Sequence, residues 1–323
     1  MKVLMISGDR NVLVQGSEAH ERFELQRSSV EQLDVFVWPQ SRRSGRLPDL
    51  LASGVHSLRE ISSAAVENHY DLITAQDPFW RGLVAWRISR RTGAKLNLQV
   101  HTDLSAQPLV RRLLAYFLLR RADSVRVVSQ KIKDFLEKFS LRARISVLPI
   151  FVDLTSSRGI SHRAHQRFKK TILWMGRFEQ EKDPLLALSI LSQVRDSGID
   201  AGLILLGAGS LEKLLRVRAK SLIPFVEFPG WQNPVPYLEM ADVVVSTSKH
   251  ESYGASIIEA LAAGVPVVAP DIGIAKEAGA IIAERDELSS VVCNVLNSGK
   301  RGELRMSIPS RDDWAKRWRE TLV

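Results

Sequence analysis

Two glutamates, Glu251 and Glu259, stand eight residues apart in the stretch ADVVVSTSKHESYGASIIEALAAGVPVVAP, residues 241–270. The stretch reads as a buried strand at Val243–Ser246, a polar turn, a helix and a second buried strand at Val267–Ala269. Short β-branched apolar runs are what a parallel sheet covered on both faces requires. The turn Thr247-Ser248-Lys249-His250-Glu251-Ser252-Tyr253-Gly254 sits at the carboxyl end of a strand and the amino end of a helix, where open α/β sheets bind ligands. Gly254 removes the side chain where the helix opens, so unpaired backbone N–H groups there can approach an anion. At about 1.5 Å per helical residue the two carboxylates lie roughly 12 Å apart, enough to touch two parts of one long ligand. A carboxylate in a helix as apolar as IIEALAAG is expensive without a partner. On spacing alone, one glutamate in a first turn and one half-exposed on a helix account for the pattern equally well.

Other chemistry-bearing residues follow strands in the same way. His101 comes directly after LNLQV, and Gln76-Asp77-Pro78 after another strand. Met175-Gly176-Arg177-Phe178-Glu179-Gln180-Glu181-Lys182-Asp183-Pro184 and Gly207-Ala208-Gly209-Ser210 do likewise in the second half. Gly16 and Ser17 open a helix expected from Glu18 to Val30, as a phosphate-facing turn or as a plain N-cap. A strand-end histidine is more often structural than catalytic, and Arg177 and Lys182 also fit a solvated surface.

The elements that position these groups form two series. Strands are expected at Lys2–Ser7, Asp34–Val37, Asp71–Thr74, Leu96–Val100, Ser124–Val128 and Ile145–Leu148. A second set is expected at Thr171–Trp174, Gly202–Leu206, Val226–Phe228, Val243–Ser246, Val267–Ala269 and Ala280–Ile282. Strands alternating with helical segments argue for parallel, doubly wound sheets. Residues 39–52 read as a loop, and Ile150 to Lys170, which loses apolar periodicity, as a linker. The expected domains are 1–155, 156–305, and a terminal helix over 306–323 that crosses back to the first domain.

Composition agrees with two domains: 323 residues, 45% of them hydrophobic, give a globular chain with a real core. The single Cys293 excludes an internal disulfide and suits a reducing compartment. MKVLMIS is too short an apolar run for a signal peptide, and LLAYFLL (Leu113–Leu119) is too short to span a bilayer. A cytoplasmic protein is expected. The net charge of +9 concentrates between Ser105 and Ile145, where ten Lys/Arg face three acids. That stretch serves either as a solvated helical face or as a contact with an anionic membrane on its inner face. No recognition motif accompanies the charge, so nucleic acid is not an expected partner.

The 241–270 stretch resembles the signature of the retaining nucleotide-sugar glycosyltransferases of family 4 (glycosyltransferase group 1), which have the GT-B fold. The matching residues are Ala241-Asp242, Ser248, Glu251, Tyr253-Gly254, Glu259-Ala260, Gly264 and Pro266-Val267. The resemblance implies an α/β protein of two Rossmann-like, doubly wound parallel-sheet domains facing an interdomain cleft. It implies that Glu251 faces the donor sugar, that Glu259 hydrogen-bonds the ribose, and that Ser252, Tyr253, Gly254 and Ala255 complete the donor turn. Arg177 and Lys182 fall on the family's diphosphate-holding arginine and lysine, with Asp183 where glycine is usual. Gly209 falls on its glycine turn, Trp231 beside the segment that lies along the nucleobase, and His101 on a histidine that lies against the donor sugar; Gly16 is expected on the donor side from its place in the first loop alone. Past Pro270 the match thins to DIGIAKEAG, with Glu277 the only echo.

The implied activity is retaining, metal-independent transfer of a hexose-type sugar from a UDP- or GDP-sugar to a hydroxyl of a glycan or lipid-linked acceptor. The donor is a substrate and no cofactor is implied; no Asp-x-Asp metal motif is present. Rival expectations are a nucleotide-sugar epimerase or phosphorylase-like enzyme of the same fold, or a binding protein without turnover.

Overall fold

The computed structural model describes residues 1–37, 65–105, 107–155, 159–163, 165 and 167–323; the loop expected at 39–52 lies outside them. The described chain divides into two compact units, Met1–Phe151 with Pro309–Val323, and Val152–Ile308.

In the first unit the strands are β1 (Lys2–Ser7), β2 (Gln32–Val37), β3 (Leu72–Ala75), β4 (Lys95–Val100), β5 (Ser124–Val127) and β6 (Arg144–Val147). They pair in parallel in the order β2-β1-β3-β4-β5-β6. The second unit holds β7 (Lys170–Met175), β8 (Ala201–Leu206), β9 (Val226–Gly230), β10 (Val243–Val245), β11 (Val267–Ala269) and β12 (Ile281–Ile282). Their order is β12-β11-β10-β7-β8-β9, again all parallel. Central strands such as β8 are apolar throughout and buried at every residue, because helices pack against the sheets.

Each order reverses once. In the first sheet the chain winds outward from β1 to β2, then returns to continue from β3 on the other side. In the second it winds from β7 to β8 and β9, then returns to start β10 beside β7. At the carboxyl ends of the strands, the switch points between β1 and β3 and between β7 and β10 are the crevices where such sheets usually bind ligands.

The helix expected over 18–30 ends sooner, at Arg27. Ser17 caps its start by accepting from His20 N, and Ser28 and Ser29 turn back to donate to the Leu25 and Gln26 carbonyls. Local side-chain bonds of this kind compete with the helical ladder.

The last helix, Arg311–Glu320, belongs to the first unit. Trp314, Trp318 and Leu322 are buried with Val3, Met5, Leu33 and Leu72 in one apolar cluster. Polar bonds fix its end: Asn97 Nδ2 donates to Thr321 O at 2.9 Å and Ser124 Oγ to Leu322 O at 3.0 Å. Asn97 Oδ1 in turn accepts from Thr74 Oγ1 at 2.8 Å. Asn97→Ala therefore leaves buried groups without partners and is expected to lower stability by about 1–3 kcal/mol. Urea unfolding followed by tryptophan fluorescence measures it, since Trp314 and Trp318 sit on this helix; an unchanged midpoint contradicts the account.

Candidate functional site

The β7 and β10 loops are stitched together at the second unit's crevice. Thr247, the second residue past β10, accepts from Trp174 Nε1 at 2.8 Å. Its hydroxyl proton is shared between the carbonyls of Lys182 and Asp183, both 2.9 Å away. Lys249 N donates to Glu181 O at 2.8 Å. These bonds bring the end of the Gly176–Asp183 loop against the start of the Thr247–Gly254 turn. As a result Lys182 Nζ pairs with Glu251 Oε1, which also accepts from Ser248 Oγ at 3.2 Å. The side chains of Lys182 and Glu251 keep only 19% and 14% of their exposure, so the pair is largely withdrawn from solvent.

Asp183 explains the usual glycine at its position. Its backbone is left-handed (φ +48°, ψ +55°) at the start of the Pro184–Asp196 helix, a conformation that glycine adopts freely and that aspartate tolerates better than most residues. The carboxylate is held there by Arg285, whose Nη2 donates to Asp183 Oδ2 at 2.5 Å while Nη1 donates to Thr247 O. Both cations expected of this loop are retained. Lys182 is in the crevice, whereas Arg177 is mostly exposed and pairs with Glu181 at 2.9 Å.

The β7 and β8 loops are joined as well. Phe178 N donates to Ala208 O and Leu211 N to Phe178 O. A side chain on Gly209 would lie 2.6 Å from Phe178 O, so only glycine fits this close approach. Glu179 accepts from Ser210 N and Oγ, and those two donors hold its carboxyl below the ordinary carboxylate value. Trp231 follows β9 at the same sheet edge with its side chain exposed.

Beyond the turn, Gly254 (φ +103°) starts the Ala255–Ala262 helix, whose opening residues, as at any helix start, lack helical partners for their N–H groups. Tyr253 is buried, so what its position presents to the crevice is backbone; its carbonyl accepts from Ile274 N at 3.0 Å. Ser252 and Ala255 are partly buried beside it, and Glu259 lies partly buried on the helix. Only 255–259 of the eight-residue spacing is helical, so the separation of roughly 12 Å expected for a continuous helix does not apply here.

Two contributors carry no motif of their own. Gly273 has φ +51°, and a side chain there would lie 2.3 Å from Tyr253 O and 3.1 Å from Glu251 Cβ. It lets the 270–275 segment lie against the glutamate turn. Arg285 is the second, acting through Asp183 and Thr247. The glycine in DIGIAKEAG was the available signal for the first; nothing local signals the second.

In the first unit His101 lines a cavity of about 120 Å³ with Asp9, Arg22, Gln76, Gln99 and Arg126. Asp9, Gln76 and His101 come from the carboxyl ends of β1, β3 and β4, at the β1/β3 crevice. Gln99 Oε1 accepts from Arg126 Nη1 at 2.8 Å, and Gln99 Nε2 donates to Thr74 Oγ1 at 3.0 Å. The opposite amide orientation would set N–H against N–H at the guanidinium, so the oxygen faces Arg126. The same oxygen lies 3.2 Å from His101 Nε2, which must therefore carry the proton. Burial pushes the His101 pKa down to about 3, with the positive Arg126 and Arg22 adding to it. His101 is thus a neutral Nε2–H imidazole whose Nδ1 can accept a hydrogen bond. Gly16 (φ +78°), with open space where a side chain would be, lies in the β1 loop of this unit, and Ser17 beside it serves as the helix cap.

Residues 12–156 match the model of Glycosyltransferase Family 4, and residues 169–298 match that of Glycosyl transferases group 1. Both halves are glycosyltransferase-family domains. The glycosyltransferase fold they make is GT-B, shared with solved structures of low identity. HepE of Anabaena, in complex with UDP and glucose, superposes at a TM-score of 0.70 with 19% identity over 92% of this chain and 89% of its own. Sucrose-phosphate synthase of Thermosynechococcus elongatus gives 0.73 with 16% identity over 100% and 95%.

Among curated relatives, a GDP-mannose-dependent α-(1-6)-phosphatidylinositol dimannoside mannosyltransferase of Mycobacterium tuberculosis is 35% identical over 95 residues, 29% of this chain and 25% of that protein. D-inositol 3-phosphate glycosyltransferase of Arthrobacter is 28% identical over 282 residues, 73% of this chain and 62% of that protein. The chain thus spans about a quarter of the first relative and under two thirds of the second. Among the described residues of this glycosyltransferase fold, no cluster of three or more His, Cys, Asp or Glu could hold a metal ion, and no helix is long and apolar enough to cross a membrane.

Proposed function

We propose that the protein transfers a sugar, with retention at the anomeric carbon, from a UDP- or GDP-sugar to a hydroxyl of a glycan or lipid-linked acceptor. The observation that carries this reading is the Lys182–Glu251 pair, with Ser248, at the crevice between β7 and β10. One cation and one carboxylate there suit a diphosphate and the sugar attached to it. Arg177 and Lys182 hold the diphosphate, where negative charge gathers as the glycosidic bond breaks. The backbone from Ser252 to Ala255, including the N–H groups freed by Gly254, lies along the same phosphates, with Gly209 giving close approach. Glu259 accepts from the ribose and Trp231 stacks on the base.

Glu251 and His101 support the sugar as it takes on oxocarbenium character, and Gly16 leaves room in the first loop. The acceptor oxygen bonds to the anomeric carbon as the carbon–oxygen bond to the diphosphate breaks. The acceptor's proton passes to the departing phosphate oxygen, leaving a nucleoside diphosphate. Arg177 and Lys182 meet the phosphate charge that a divalent metal otherwise would, so the reaction runs without metal or cofactor. It takes place in the cytoplasm, at the inner membrane face where the acceptor is lipid-linked. Two relatives carry lipids in their names, the mannosyltransferase above and an α-monoglucosyldiacylglycerol synthase of Streptococcus pneumoniae, 25% identical over 64% of this chain and 53% of that protein.

Calorimetric titration with a panel of UDP- and GDP-sugars tests the reading. One donor should bind and stabilise the protein by roughly 3 kcal/mol at one hundred times Kd. Arg177→Ala, Lys182→Ala and Glu259→Ala should each weaken it about tenfold or more, the loss of one charge-assisted bond. Unchanged affinity in all three removes the donor assignment. Anomeric analysis of the product by NMR, with and without EDTA, tests retention and metal independence.

A further inference from the structure

The helix Leu109–Leu119, LVRRLLAYFLL, carries apolar side chains on its exposed side as well as on its buried one. Ala115, Leu118 and Leu119 are buried on its inner side. Leu109, Val110, Leu113 and Phe117 are between 39% and 74% exposed. At about 100° per residue those four fall within roughly a quarter of the helix circumference, opposite the buried three. A surface helix of an ordinary soluble fold presents polar residues on that side, and one apolar on both sides is covered by something.

The rim of this outer stripe is basic. Arg120 caps the helix and is exposed, and Arg121 lays its guanidinium 3.6 Å over the Phe117 ring while donating to Phe117 O at 2.7 Å. Arg111, on the side of the helix away from the stripe, stacks 4.1 Å over the buried Phe79, whose neighbour Trp80 is exposed. Exposed arginines lying against apolar side chains at the edge of an apolar stripe match the boundary between lipid headgroups and acyl chains. An acidic protein partner would satisfy the charge but leave a stripe of Leu, Val and Phe unmatched at its centre. An anionic bilayer answers both. Eleven residues cover about 16 Å, well short of a membrane's hydrocarbon core, so the helix lies in the interface plane instead of crossing.

We propose that the outer face of the Leu109–Leu119 helix seats the protein on an anionic membrane surface, the stripe Leu109, Val110, Leu113 and Phe117 entering the headgroup boundary and Arg120 and Arg121 pairing with lipid phosphates. The proposal rests on the reading of a membrane-borne acceptor and names the surface that reaches it.

The test is co-sedimentation of the full chain with vesicles of phosphatidylglycerol and phosphatidylcholine, and with phosphatidylcholine alone, at low and high salt. Binding is expected only to the anionic vesicles and should weaken with salt. Arg120→Gln with Arg121→Gln should weaken it about thirtyfold, since each arginine near such a surface contributes about 1 kcal/mol. Val110→Ser with Leu113→Ser should weaken it at least tenfold while leaving the melting temperature in place, these side chains being 74% and 59% exposed. Calorimetric donor titration on the same variants should be unchanged. Lost vesicle binding with intact donor binding is the expected pattern.

Absence of anionic-vesicle binding at low salt, or equal binding by wild type and both variants, overturns the proposal without touching the donor reading. The reverse pattern, vesicle binding without donor binding, removes the donor reading alone. If sedimentation velocity shows the wild type self-associating and the serine variant monomeric, with no vesicle binding by either, the face is an interface between copies and the membrane proposal fails.

Discussion

Lys182→Met is expected to reduce sugar transfer by about 10²–10³-fold, the range seen when one group stabilising developing charge is removed. The same change should lower stability, because Glu251 is left as a largely buried carboxylate without its ammonium partner; breaking such pairs costs about 3–5 kcal/mol. The two effects can be separated. Lys182→Met combined with Glu251→Gln replaces the pair by two neutral groups, and the glutamine still accepts from Ser248. Most of the lost stability should return, while turnover stays at or below that of the single variant, since neither the cation for the diphosphate nor the carboxylate for the sugar is restored. Chemical denaturation and initial rates with saturating donor read the two quantities independently. Recovery of turnover along with stability would mean that Lys182 only balances the charge of Glu251, and its role at the leaving group would be withdrawn.

This pair also shows what could be read from the chain. The strands that carry it were legible because each is a short, wholly apolar, β-branched run, such as Val243–Val245, and burial on both faces leaves little room for another pattern. The helix ends were less so: Ser28 and Ser29 stop a helix through bonds that periodicity does not register. Lys182 and Glu251 were each marked as site residues, but their contact spans 69 positions and depends on Thr247 anchoring the Lys182 and Asp183 carbonyls. Asp183 looked like a departure from a glycine pattern. Its left-handed backbone shows why glycine is usual, and Arg285, 102 positions away, shows how an aspartate is accommodated. Gly273 escaped for the same reason, since its constraint is the closeness of Tyr253 O and Glu251 Cβ, a property of packing.

His101 poses a sharper question, because its strand-end position told of a site and nothing of its proton. The Arg126–Gln99–His101 chain answers it: the imidazole is neutral, protonated on Nε2, and offers Nδ1. With a pKa near 3, His101 contributes no inflection to the pH–rate profile between pH 5 and 8. Its folded pKa lies below the ordinary value, so between about pH 6.5 and 3 the unfolded chain binds a proton that the folded chain refuses. Stability is therefore lost as pH falls through that window, and His101→Gln should blunt this acid sensitivity.

In the proposed reaction Gln99 is the residue that positions His101. Gln99→Leu removes the acceptor that fixes the ring and should lower kcat by about 10–10²-fold, the effect of misplacing a reacting group by about an ångström, with KM for the donor changing much less. Gln99→Glu places a carboxylate beside Nε2, which favours the imidazolium and should raise the His101 pKa, bringing an inflection toward the neutral range that wild type lacks. Nitrogen-15 spectra of the imidazole read the state directly. An Nδ1–H tautomer, or an imidazolium already formed at pH 6 in wild type, would show that Gln99 does not set the proton, and its positioning role would be withdrawn.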